Sequence, residues 1–159
     1  QGADALHHFR RTIERYPCGA AGSEVAHPKQ RLQVDAVVGM PVGDDHRVDT
    51  TVDGKEVTAA VDISVRCLDT QDVRALLSRL AIAGFAAWLR DDGQDGWRGQ
   101  RHIHAVWAEE PLKRPLRNQI KAWIDGRTGL PGDAAYTFWQ PTTQERDAVS
   151  GRFEASRLR

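Results

Sequence analysis

Apolar and polar positions divide the chain into a series of short elements. Residues 3–16 place Leu6, Phe9, Ile13 and Tyr16 near one face of a helix, which Pro17 and Gly19 end. Residues 17–31 are rich in Gly, Ala and charge and read as a loop. The β-branched run over 32–38 reads as a buried strand and 39–45 as a turn. Asp53-Gly54 then separates two β-rich runs, 48–52 and 56–65, which is the strongest short-range signal for a hairpin. Thr70 is the expected cap of a helix reaching about residue 83, with Gly84 as its stop. Its Val73, Leu76, Leu77 and Leu80 recur at i, i+3, i+4 and i+7, the spacing of a buried stripe.

Residues 85–89 read as a short strand, 91–96 as a polar loop and 101–107 as another strand. An amphipathic helix is predicted over 112–124, ending at Asp125-Gly126. Thr142 and Glu145 form a capping-box pattern for a last helix near 143–155. The expected fold is α+β, a small antiparallel sheet flanked by helices, with one helix crossing between two of its strands. A length of 159 residues suits a single domain. Within it, 1–31 form an N-terminal helix and loop, 32–110 the core, and 111–159 a helical and aromatic extension.

Composition narrows the function classes. Lys and Arg number 22, as do Asp and Glu, so the formal charge is zero. No basic stripe interleaved with aromatics appears, which argues against nucleic acid as a partner. No apolar run approaches the ~20 residues of a membrane span, and no signal peptide is visible. The chain starts at Gln1 without a Met and is expected to be a processed protein or an excised domain. Cys18 and Cys67 match no zinc-ribbon or Cys-x-x-Cys spacing. One disulfide in an exported protein and two buried thiols both remain open.

The chemistry concentrates in Arg101-His102-Ile103-His104-Ala105-Val106-Trp107. Side chains alternate faces along a strand, so His102 and His104 point the same way. Two imidazoles on one side of a rigid element suit a metal or acid–base site; the plainer alternative is a solvated polar face. Asp62 lies in the apolar run Ala59-Ala60-Val61-Asp62-Ile63, where a buried carboxylate needs a partner or a cation. A salt bridge to Arg66, Arg74 or Arg79 is the structural alternative.

Taken in order, several pieces resemble the zinc D-alanyl-D-alanine carboxypeptidases, most closely the hedgehog-like branch of that peptidase family. They are Ala60-Val61-Asp62-Ile63-Ser64, the Leu-rich helix, Ala83-Gly84-Phe85, Trp97 and His102-Ile103-His104, spread over residues 46–107. The resemblance implies zinc ligation by Asp62 and His104, with His102 beside the metal assisting catalysis. It also implies a ligating His seven residues before the Asp, where this chain has Lys55, and a Gly where it has Thr58. A Lys ammonium offers zinc no lone pair. His46 is the expected replacement, because a single bulged residue in the hairpin would bring it opposite Asp62. His27, or no third ligand at all, are the alternatives, while His7 and His8 are expected at the surface.

The family's general base stands a few residues before the last His, often three before it, where this chain has Arg101. Asp95 is the nearest candidate, with Glu109 and Glu110 beyond the strand. A groove built from Trp123, Tyr136, Phe138 and Trp139 is the functional alternative to a core role for these rings. Arg117 and Arg127 are candidates for meeting a substrate carboxylate. The expectation is thus a zinc-dependent peptidase or amidase that cleaves the stem peptides of peptidoglycan through a metal-activated water. It would work as an exported monomer on the cell wall, as a lysin, a remodelling enzyme or an antibacterial effector. A non-catalytic binding module on the same fold is the alternative, favoured by Lys55, Thr58 and Arg101. A phosphoesterase with paired His-x-Thr motifs is discounted, since His104-Ala105 lacks the hydroxyl.

Overall fold

The computed structural model describes residues 50–52, 55–57, 59–109 and 112–158, the first two segments through their backbone pairing. The expected helix over 3–16, the strand over 32–38, and Cys18, His27, His46 and Glu110 lie outside the described residues. Strand β1 (Thr50–Val52) pairs antiparallel with β2 (Lys55–Val57), with Val52 opposite Lys55 and two residues between them. This is the hairpin that Asp53-Gly54 announces. The second run does not continue it. A new strand, β3 (Ala60–Ser64), joins a separate three-stranded sheet of order β3-β5-β4. Both β3 and β4 (Phe85–Arg90) lie antiparallel to the central β5 (His102–Trp107).

Helix α1 (Thr70–Ala83) connects β3 to β4 and buries Val73, Leu76, Leu77 and Leu80, the stripe that its spacing predicts. Its cap is Asp69 rather than Thr70: the Asp69 carboxylate accepts the Asp72 N–H at 2.8 Å. A charged acceptor complements the helix dipole better than a hydroxyl, so Thr70 becomes the first helical residue. Gly84 closes the helix at φ +101°, and a Cβ there would also run into the Arg152 side chain.

One sheet face carries Ile103, Ala105, Phe85, Ala87 and Leu89 and packs against α1. The other face is apolar only at one end, where Ala86, Trp88 and Val106 meet Leu116, Ile120 and Trp123 of α2 (Arg114–Ile124) and Val149 and Phe153 of α3 (Thr143–Arg157). Every residue of β4 is buried, although β4 is an edge strand. Aromatic side chains close that edge. Trp123 Nε1–H donates to Ala87 O at 2.9 Å, and the Leu89 N–H donates to the Tyr136 hydroxyl at 2.8 Å. Trp123 and Tyr136 are therefore core residues that satisfy strand backbone groups.

The capping box of α3 forms as expected. The Glu145 N–H donates to Thr142 Oγ1 at 3.3 Å, and the Thr142 N–H donates to Glu145 Oε2 at 2.6 Å. Glu145 also accepts the Ser78 hydroxyl, which ties α3 to α1. Cys67 is disulfide-bonded, so the two-thiol reading is set aside; the other half of the bond lies outside the described residues. No described helix is long and apolar enough to cross a membrane.

Candidate functional site

The polar end of the open sheet face consists of two rows of side chains, set by strand register. Asp62, His104 and Trp88 lie opposite one another across β3, β5 and β4. Ser64, His102 and Arg90 form the next row. The period-2 reading of His-Ile-His is thus correct: both rings stand on this face, while Ile103 and Ala105 are buried on the other.

Asp62 differs from its expected setting. Its side chain is 66% exposed, on β3, which is an edge strand of the described sheet. Its partners are also not the arginines considered above. Asp62 Oδ1 lies 2.9 Å from His104 Nδ1 and 3.6 Å from His102 Nε2. Contact with His104 is the main cause that holds its carboxyl below the usual range; burial opposes this, and the charges of His104, His102 and Arg90 add to it.

Both rings are fixed through their second nitrogen. His102 Nδ1 sits 2.7 Å from Gln100 O, and a carbonyl can only accept, so Nδ1 carries the proton. His104 Nε2 sits 3.1 Å from Gln119 Oε1, which in this orientation also accepts. The two nitrogens that face Asp62 then present lone pairs to a carboxylate. Such an arrangement requires a second proton or a cation between them. Turning the Gln119 amide over would instead let His104 Nδ1–H donate to Asp62, giving a metal-free Asp–His pair.

Aromatic rings brace the histidines. Trp88 stacks on His104 with centroids 6.1 Å apart, and Trp97 meets His102 edge-on at 5.1 Å. Asp95 occupies the loop between β4 and β5 with φ +52°, a left-handed conformation that Asp tolerates in turns. It makes no hydrogen bond or ion pair with Asp62, His102 or His104. Its charge is felt by Arg90 and Tyr136.

Arg101 is engaged elsewhere, 3.4 Å from Asp91 and donating to Leu68 O at 3.3 Å. Glu109 pairs with Arg152 at 2.8 Å, Arg127 lies 3.8 Å from Asp133, and Arg117 is exposed on α2. Phe138 and Trp139 are half-buried against the core.

Gln119, Trp88 and Arg90 escaped the sequence reading. Gln119 carried a signal: it is the polar residue among Leu116, Ile120 and Trp123 on the side of α2 that packs inward. Arg90 carried one too, as a charge closing an otherwise apolar strand.

Among the described residues no three His, Cys, Asp or Glu side chains form a ready metal cage. Asp62 and His104 fit two positions of a zinc site: a carboxylate oxygen and an imidazole nitrogen on one face, the imidazole backed by an acceptor on its far nitrogen. No family model, curated protein or solved structure matches the chain.

Proposed function

We propose that the chain is a zinc-dependent peptidase or amidase acting on the stem peptides of peptidoglycan. The carrying observation is Asp62 Oδ1, approached at 2.9 and 3.6 Å by ring nitrogens of His104 and His102 whose opposite nitrogens are already engaged. Asp62 and His104 would hold the metal, with His46 as the third ligand. Bound there, zinc would supply a Lewis acid that polarises the scissile carbonyl and acidifies water. His102, locked to Gln100 O and braced by Trp97, has one orientation in which to hydrogen-bond the developing oxyanion when it carries its second proton. Asp95, on the loop that precedes β5, would be the base that takes a proton from water.

The Cys67 disulfide supports an oxidising compartment, as an exported protein working on the cell wall would meet. The binding-module reading keeps one observation in its favour: Arg101 stands where the family's base is expected and is bound to Asp91 and Leu68. Digestion of purified muropeptides, followed by mass spectrometry, separates the two. The enzyme reading expects a defined peptide cleavage, reduced roughly hundredfold or more in Asp95→Asn, whose amide keeps the shape but cannot accept the proton. Zinc-loaded wild type that leaves every muropeptide intact would establish the binding module instead.

A further inference from the structure

Beside His102, Arg90 and Trp97 each enclose a hydrogen-bond donor that has no partner among the described residues. Arg90 lies directly across from His102 on β4 and is 3% exposed. Its guanidinium stacks over the Trp88 ring at 5.0 Å, and its Nη2 donates to Thr128 O at 2.7 Å. Its Nη1 is buried without a hydrogen-bond partner among the described residues. Trp97, whose ring meets His102 edge-on at 5.1 Å, has an indole Nε1 that is likewise enclosed and without a hydrogen-bond partner among the described residues.

Orphaned buried donors of this kind are rare, and a charged one is costly. Neither group can accept a hydrogen bond, so whatever satisfies them must bring acceptor oxygens. The guanidinium charge of Arg90, which has no carboxylate in hydrogen-bond contact, adds a preference for a negative ligand. Asp62 and Asp95 act on Arg90 through space, yet neither is hydrogen-bonded to it.

We propose that Arg90 Nη1 and Trp97 Nε1 form an oxyanion-binding pocket beside His102, built for a single carboxylate or phosphate group. The fork of the guanidinium suits a planar or tetrahedral oxyanion, and the indole supplies a donor from a second direction. The pocket needs no metal and does not depend on the hydrolase reading. Under that reading it gives His102 an anionic group of the substrate as its neighbour.

The test is a nitrogen-15 NMR titration of the full chain with sodium acetate and, separately, sodium phosphate, at constant ionic strength set with chloride. Five tryptophans give five indole N–H signals, and the signal missing in Trp97→Phe identifies its own. The pocket predicts a saturable shift of that signal with at least one of the two anions. The anion that saturates at the lower concentration shows which group the pocket takes. Trp97→Phe, which keeps a ring against His102 but loses the donor, should weaken binding about tenfold by calorimetry. Arg90→Gln should abolish it; if that variant does not fold, Trp97→Phe carries the test alone. An indole signal that moves with neither anion, or an affinity unchanged in Trp97→Phe, overturns the proposal and leaves water as the partner.

Discussion

At the scale of single residues, His104 decides what the site can be, and its far nitrogen decides His104. With its Oε1 toward the ring at 3.1 Å, Gln119 accepts from Nε2 and leaves Nδ1 to face Asp62. Replacing Gln119 with Leu keeps the bulk and removes the acceptor. The expected cost is about 1 kcal/mol in denaturant unfolding. Metal affinity, read by competition with a chromophoric chelator, should fall by about 10- to 100-fold, as for other partners that orient a ligating imidazole. An unchanged affinity would mean that Gln119 merely fills space. The shared face of His102 and His104 was legible because strand periodicity is rigid. The meeting of Gln119 and Arg90 with this face was not, since each reaches it from another element and the local signal each carries does not name its partner.

At the scale of elements, capping signals read well where they are local. The box of Thr142 and Glu145 and the stop at Gly84 stand where the sequence places them. The start of α1 moved by one residue because two neighbouring side chains competed for the same backbone N–H groups, and the charged one won. Glu145 does more than cap. Burial pushes its carboxyl up, but the hydrogen bonds from Ser78 and Thr142 outweigh that and hold it below the ordinary value. A lowered pKa in the folded state means stability that is present above the unfolded-state pKa and lost as pH falls through the folded one. Chemical unfolding should therefore show stability falling as pH drops through and below the usual glutamate range. Glu145→Gln should cost on the order of 1 kcal/mol at neutral pH and flatten that fall. A wild-type slope that survives the substitution would place the titrating group elsewhere.

At the scale of the whole molecule, the α+β class was legible and the strand order was not. The continuous run over 56–65 reads as one strand, yet it divides into β2 and β3, which belong to different sheets. Hydrophobic alternation marks a strand without naming its partner, and β3 pairs with the strand farthest from it in sequence. That long-range pairing is what brings Asp62 to His104. The aromatic extension also shows its purpose only in three dimensions, where Trp123 and Tyr136 close the edge of β4. Both features place an exposed carboxylate beside two braced imidazoles on one face of the sheet. The central claim is that this face holds a metal. The most direct measurement is the zinc content of the full chain prepared with zinc present, read by elemental analysis beside its melting temperature. About one zinc per chain is expected, with a melting temperature that rises with zinc and loss of both in Asp62→Asn and His46→Ala, while His27→Ala is unaffected. A zinc content near zero with no thermal response would contradict this and leave Asp62 and His104 as a metal-free pair.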